Sequence, residues 1–93
     1  MVSVFNQVAM TDSAVSIISS NADRRKLILK NTGTKVVFIG NDVSVVDTAD
    51  NANGGYPIAA TETFYLNDYT GAVFGICASG ETSEISVIEE VIA

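Results

Sequence analysis

Residues 24–40 read RRKLILKNTGTKVVFIG, and the fold class is decided by how this stretch alternates. Leu27 and Leu29 alternate with Lys26, Ile28 and Lys30. That is the period of two of a strand with one buried face. Asn31-Thr32-Gly33-Thr34 has turn composition, with a glycine to take a positive φ. Lys35-Val36-Val37-Phe38-Ile39 then resumes in β-branched and aromatic residues and reads as the partner strand of a hairpin. All five cations of the chain, Arg24, Arg25, Lys26, Lys30 and Lys35, lie in this stretch, and residues 41–93 carry none. With Leu27 and Leu29 turned inward, Arg25 shares their side. Arg24, Lys26, Ile28 and Lys30 face outward, and Lys35 sits at the hairpin tip. Two readings follow. Lysines on an edge strand discourage pairing with other chains. Alternatively, the basic face docks on an acidic neighbour. A second copy would serve, since residues 36–93 hold nine acids and no base.

The rest of the chain keeps the same period. Val2-Ser3-Val4-Phe5, Ala14-Val15-Ser16-Ile17, Val43-Ser44-Val45, Thr63-Phe64-Tyr65-Leu66, Ala72-Val73-Phe74-Gly75-Ile76-Cys77 and Glu84-Ile85-Ser86-Val87-Ile88 read as strands. Gly40-Asn41-Asp42, Asn67-Asp68 and Ser79-Gly80-Glu81 read as turns. No stretch carries a helix pattern of useful length. The expectation is one all-β domain over residues 1–93, with about seven or eight short antiparallel strands in a sandwich or small barrel. Residues 1–7 form an extended N-terminal arm that reaches a neighbour's sheet edge, with Val4 and Phe5 in the contact. Residues 46–56 form a long surface loop.

Composition limits the function. With net charge −6 and pI near 4.2, the chain lacks the cationic face that a phosphate backbone requires, so no nucleic-acid partner is expected. No apolar run approaches the roughly 18 residues of a membrane span, and no leader pattern is present, so neither a membrane association nor signal-directed export is expected. The chain contains no histidine and one cysteine. That excludes Ser-His and Cys-His nucleophile pairs, an internal disulfide, and Cys/His zinc clusters. Cys77 lies in an apolar strand and reads as core. Glu89 and Glu90 are adjacent on a strand and point to opposite faces, so they make no acid/base pair. Asn53-Gly54-Gly55 is not followed by the Lys-Ser/Thr of a phosphate loop. Asp47, Asp50, Asn51 and Asn53 gather oxygen donors, but the spacing is not that of an EF-hand and no glutamate closes the set. A surface loop explains them, and neither a metal nor a cofactor is expected. Tyr56, Tyr65 and Tyr69 raise the possibility of sugar stacking, against the more common use of tyrosine in packing. The apolar fraction of 47% and mean hydropathy of +0.32 are high for 93 residues. They point to an oligomer that buries the excess.

The run Arg24-Arg25-Lys26-Leu27-Ile28-Leu29-Lys30-Asn31-Thr32-Gly33, followed by Val36-Val37-Phe38-Ile39-Gly40, resembles small virion proteins of tailed bacteriophages. Tyr56-Pro57-Ile58, Thr61-Glu62-Thr63 and Phe74-Gly75-Ile76-Cys77-Ala78-Ser79-Gly80-Glu81-Thr82 occupy the places of that family's later turns and strands. The resemblance covers about residues 24–88 and departs at Ala60-Thr61, where the family places a proline. It implies a β-sandwich of jelly-roll type, often trimeric, acting as a capsid decoration (cement) protein or a head-fibre module. The function so implied is non-enzymatic: attachment to junctions of the major capsid protein on the virion surface, after synthesis in the host cytoplasm. Arg24, Lys26, Ile28, Lys30 and Lys35, with Val4 and Phe5, are the expected contact residues, and a homotrimer is the expected solution form. The alternative is a fibre or tail module that binds a host glycan or surface protein through residues 46–56 and the exposed tyrosines.

Overall fold

The computed structural model describes residues 2–47 and 55–92. Eight strands run in chain order: β1 (Val2–Met10), β2 (Val15–Ile18), β3 (Arg24–Asn31), β4 (Val37–Gly40), β5 (Tyr56–Ile58), β6 (Thr63–Asn67), β7 (Val73–Ile76) and β8 (Ser83–Val91). They form two four-stranded antiparallel sheets, a long one ordered β1-β8-β3-β6 and a short one ordered β2-β7-β4-β5. The first strand pairs with the last, the second with the seventh, the third with the sixth and the fourth with the fifth. This is one long antiparallel ribbon rolled on itself and closed by the β3–β8 and β4–β7 pairings, which is the jelly roll.

The core lies between the sheets. Leu27, Leu29, Ile85 and Val87 of the long sheet face Ile17, Val37, Ile39, Ile58, Val73 and Cys77 from the short-sheet side, and Met10 closes one end. Gly75 sits where a Cβ would come within 2.6 Å of Met10 Cε and 2.9 Å of Ile17 Cδ1. The close approach of these three groups is why the centre of β7 lacks a side chain.

Four sequence expectations change. Val43-Ser44-Val45 is turn and loop rather than a strand, and the next described strand after β4 is Tyr56–Ile58. The basic stretch is not a hairpin: β3 and β4 lie in opposite sheets, and Asn31–Val36 crosses between them. β3 is not an edge either, because β8 and β6 flank it, so edge protection by its lysines is ruled out. Finally, residues 2–7 are not a free arm. They pair with β8 from Val2↔Val91 to Gln7↔Ser86. Of the 46–56 loop, Asp50, Asn51 and Asn53 lie outside the described residues.

Candidate functional site

Arg24 is the largest departure from the sequence reading. The β3–β8 register shifts between Arg24 and Lys26, leaving Arg25 as the extra residue of a bulge. The slip turns Arg24 inward and Arg25 out. Arg24 is fully buried, so it is removed from the expected contact face. Its Nε donates to Glu89 Oε2 at 2.7 Å. Nη1 donates to the carbonyls of Tyr69 at 3.1 Å and Gly71 at 2.8 Å, and Nη2 to that of Ser19 at 2.5 Å. One guanidinium thereby ties the β2–β3 and β6–β7 connections to β8, and its planar fork suits that task.

Asn31 does the same at the other end of β3. Its Nδ2 donates to Lys35 O at 2.7 Å and Ile58 O at 2.8 Å. Its Oδ1 accepts from Gly33 N at 3.1 Å and Ser83 Oγ at 2.7 Å. Gly33 is required at this crossing, because a Cβ there would collide with Ser83 Oγ and lie 2.8 Å from Glu84 N.

Between the two clasps, the outward positions of β3 are Lys26, Ile28 and Lys30. The registers Phe5↔Ile88, Ile28↔Ile88 and Ile28↔Tyr65 place four apolar or aromatic side chains in one row across all four strands of the long sheet. Phe5 is 72% exposed and Tyr65 58%. A groove of about 420 Å³ runs beside Phe5 and Ile88. Rows on either side are polar: Ser3, Glu90, Lys26 and Asn67 on one, Gln7, Ser86, Lys30 and Thr63 on the other. The Lys26 ammonium lies 5.7 Å from the Tyr65 ring centroid. Lys26, Ile28, Lys30 and Phe5, singled out from separate segments, therefore share one face. Val4 does not. It pairs with Glu89, a buried inward position of β8, and so projects to the inner side, where it stays half-exposed. Lys35 lies beyond the strand end, with its Nζ 3.7 Å from Glu81 Oε2. Ile88 was missed, and Tyr65 was singled out only as a sugar-stacking candidate, because membership of a cross-strand row depends on register, which no single strand displays.

The other candidate features sort differently. Cys77 is a buried core residue. Desolvation raises its pKa, with Glu81 and Asp12 adding to the effect, so the reactive thiolate is disfavoured. Tyr69 donates its hydroxyl to Ala72 O at 2.7 Å. Tyr56 stacks obliquely on Phe64, with centroids 4.8 Å apart. These two tyrosines border a cleft of about 190 Å³ at the open side of the sandwich, with Ile39, Leu66 and Val73 supplying apolar walls. A sugar needs several polar partners beside its stacking surface, and among the described residues that line this cleft the polar side chains are Asn41 and the two tyrosines. Among the described residues no cluster of three or more Asp, Glu, Cys or His side chains is placed to hold a metal ion.

No protein-family model matches the chain, and no curated protein matches it. Among solved structures, it is similar to a chain from Bacillus endospore appendages, described as a novel family of disulfide-linked pili. The identity is 18% and the TM-score 0.49, over 98% of this chain and 86% of that one. Likeness at that level carries no function from one chain to the other.

Proposed function

We propose that this is a non-enzymatic structural protein that attaches to an assembled protein lattice through the outer face of its long sheet. The observation that carries the reading is the Phe5-Ile88-Ile28-Tyr65 row with Lys26 and Lys30 beside it. An apolar strip rimmed by polar and charged side chains is the anatomy of a protein interface. The lysines would set register and steer the approach to an acidic partner. Capsid decoration on a tailed-phage head is the specific form that the sequence resemblance implies. Jelly rolls serve both virion and lectin proteins, so the fold alone does not choose between capsid and glycan. The apolar character of the row and the cation pair favour a protein surface.

The test is co-sedimentation with assembled heads of the phage that encodes the chain, using wild type, Lys26→Glu/Lys30→Glu and Tyr56→Ala. Attachment should fail for the lysine variant and survive in Tyr56→Ala. Undiminished attachment of the lysine variant, or no attachment of wild type, would refute the reading.

A further inference from the structure

The two sheets have four edges. β5 is three residues long and contains Pro57, which offers no N–H. β2 is four residues long and bulged between Ser16 and Ile18. β6 has five residues, flanked directly by Glu62 and Asp68. Shortness, proline, bulges and charge are the usual ways a sheet blunts an edge against pairing with another chain. β1 has none of them. It runs nine residues, VSVFNQVAM, with no proline and no charged side chain. Val2, Val4 and Phe5 are all large, apolar and exposed along it.

We propose that β1 pairs antiparallel with β1 of a second copy, giving a two-fold dimer in which the two long sheets become one eight-stranded sheet. A two-fold contact must be self-complementary. The pairing that sets Phe5 opposite Phe5 of the second copy meets that demand. It joins the two outer rows end to end, so the apolar strip runs unbroken through the dimer axis. Val2 then lies opposite Val8 of the second copy and Ser3 opposite Gln7. The aromatic pair at the centre adds to the backbone hydrogen bonds.

Charge is compatible with this edge, which is neutral along its whole length, as the shorter β2, β5 and β6 are along theirs. A chain of net charge −6 meets its own copy with least repulsion where the contact strand is neutral. The nearest outward acids, Glu84 and Glu90, lie on β8. In the dimer, the two β8 strands are three strand spacings apart, on the order of 14 Å. That exceeds the screening length of about 10 Å at 0.1 M salt. The expected form is therefore a dimer rather than the trimer implied by the sequence resemblance. This inference stands apart from the capsid reading, because it is tested without a capsid.

Light scattering after size exclusion, at about 50 mM and about 500 mM salt, should give a dimer mass at both. A monomer at both salts would overturn the proposal. So would a series of masses growing with concentration, since that marks contact between unlike edges. Phe5→Lys places like charges against each other on the axis and should give a monomer with an unchanged far-UV spectrum. A second probe does not depend on that variant folding. In Phe5→Cys the two Cα atoms face each other across an antiparallel pair at roughly 4.5–5.5 Å, within disulfide range. Mild oxidation should link it as a covalent dimer, and Ser3→Cys should stay unlinked. Linking of Ser3→Cys instead, or of neither, would overturn the register.

Discussion

The two faces of β3 make opposite demands on one strand. Inward, Arg24, Leu27, Leu29 and Asn31 are all at 0% exposure. Two of them pack the core, and the other two tie loops at the strand's ends. Outward, Lys26 and Lys30 make no ion pair within 4.0 Å among the described residues, and the row between them, which contains Ile28, is open at Phe5 and Tyr65. The comparison separates what holds the fold from what is free to meet a partner. It also divides the chain's cations, which the sequence presents as one group.

The sharpest way to break it is Arg24→Ala. Removing one member of a buried ion pair costs about 3–5 kcal/mol, a large share of the about 5–15 kcal/mol that a domain has. Denaturant midpoints should fall accordingly, and Arg24→Lys should recover little, because an ammonium cannot reach a carboxylate and three carbonyls in different directions. A buried ion pair is often replaceable by apolar residues of similar size. Here the double variant Arg24→Met/Glu89→Leu should remain destabilised, since the carbonyls of Ser19, Tyr69 and Gly71 lose their donor. Recovery of wild-type stability in the double variant would show that the carbonyl contacts contribute nothing.

What the sequence made legible follows from what each feature depends on. The strand period around Leu27 and Leu29, and seven of the eight strands, rest on local alternation and were readable. β5 at Tyr56–Ile58 was not, because three residues with a central proline show no alternation, and Val43-Ser44-Val45 alternates without being a strand. The sidedness of Arg24 was not, because a single bulge residue, Arg25, inverts it and leaves no mark in the composition. The false hairpin has a similar cause. Asn31-Thr32-Gly33-Thr34 looks like a tight turn, but Asn31 spends both ends of its amide on a crossing between sheets. Arg24 and Glu89 are 65 residues apart, and nothing in either neighbourhood announces the other. Phe5 and the outward-facing Ile28 were legible as contact candidates, whereas their alignment through Ile88 became visible only with the register.

A middle-sized effect is expected at Asn31. Asn31→Ala leaves two carbonyls, one N–H and one hydroxyl without their partner, at about 1–3 kcal/mol for an unmatched buried group. Asn31→Asp discriminates further. An ionised carboxylate cannot donate to Lys35 O or Ile58 O, whereas a protonated one, with its single O–H, can donate to one of them. This variant should therefore lose stability as pH rises through its carboxyl titration and regain part of it in acid. Thermal melts across that range would show the trend, and a pH-independent deficit would mean that the two carbonyl contacts are dispensable.

The smallest effect is the one that gives the comparison its functional meaning. Lys26→Ala removes a contact with the Tyr65 ring that is worth about 0.5–1 kcal/mol at an exposed site, and Lys30→Ala removes an exposed side chain whose loss falls within about 0.5 kcal/mol. For a domain of this size about 1 kcal/mol moves the melting temperature by roughly 4–8 °C, so the double alanine variant should melt within several degrees of wild type. Its attachment to the partner lattice should nevertheless be lost. The two measurements have to be read together. A near-native melting curve with lost attachment assigns the outer lysines to recognition. A melting temperature that falls as far as in Arg24→Ala would make both faces of β3 structural, and the outer row would then have no free cations to present.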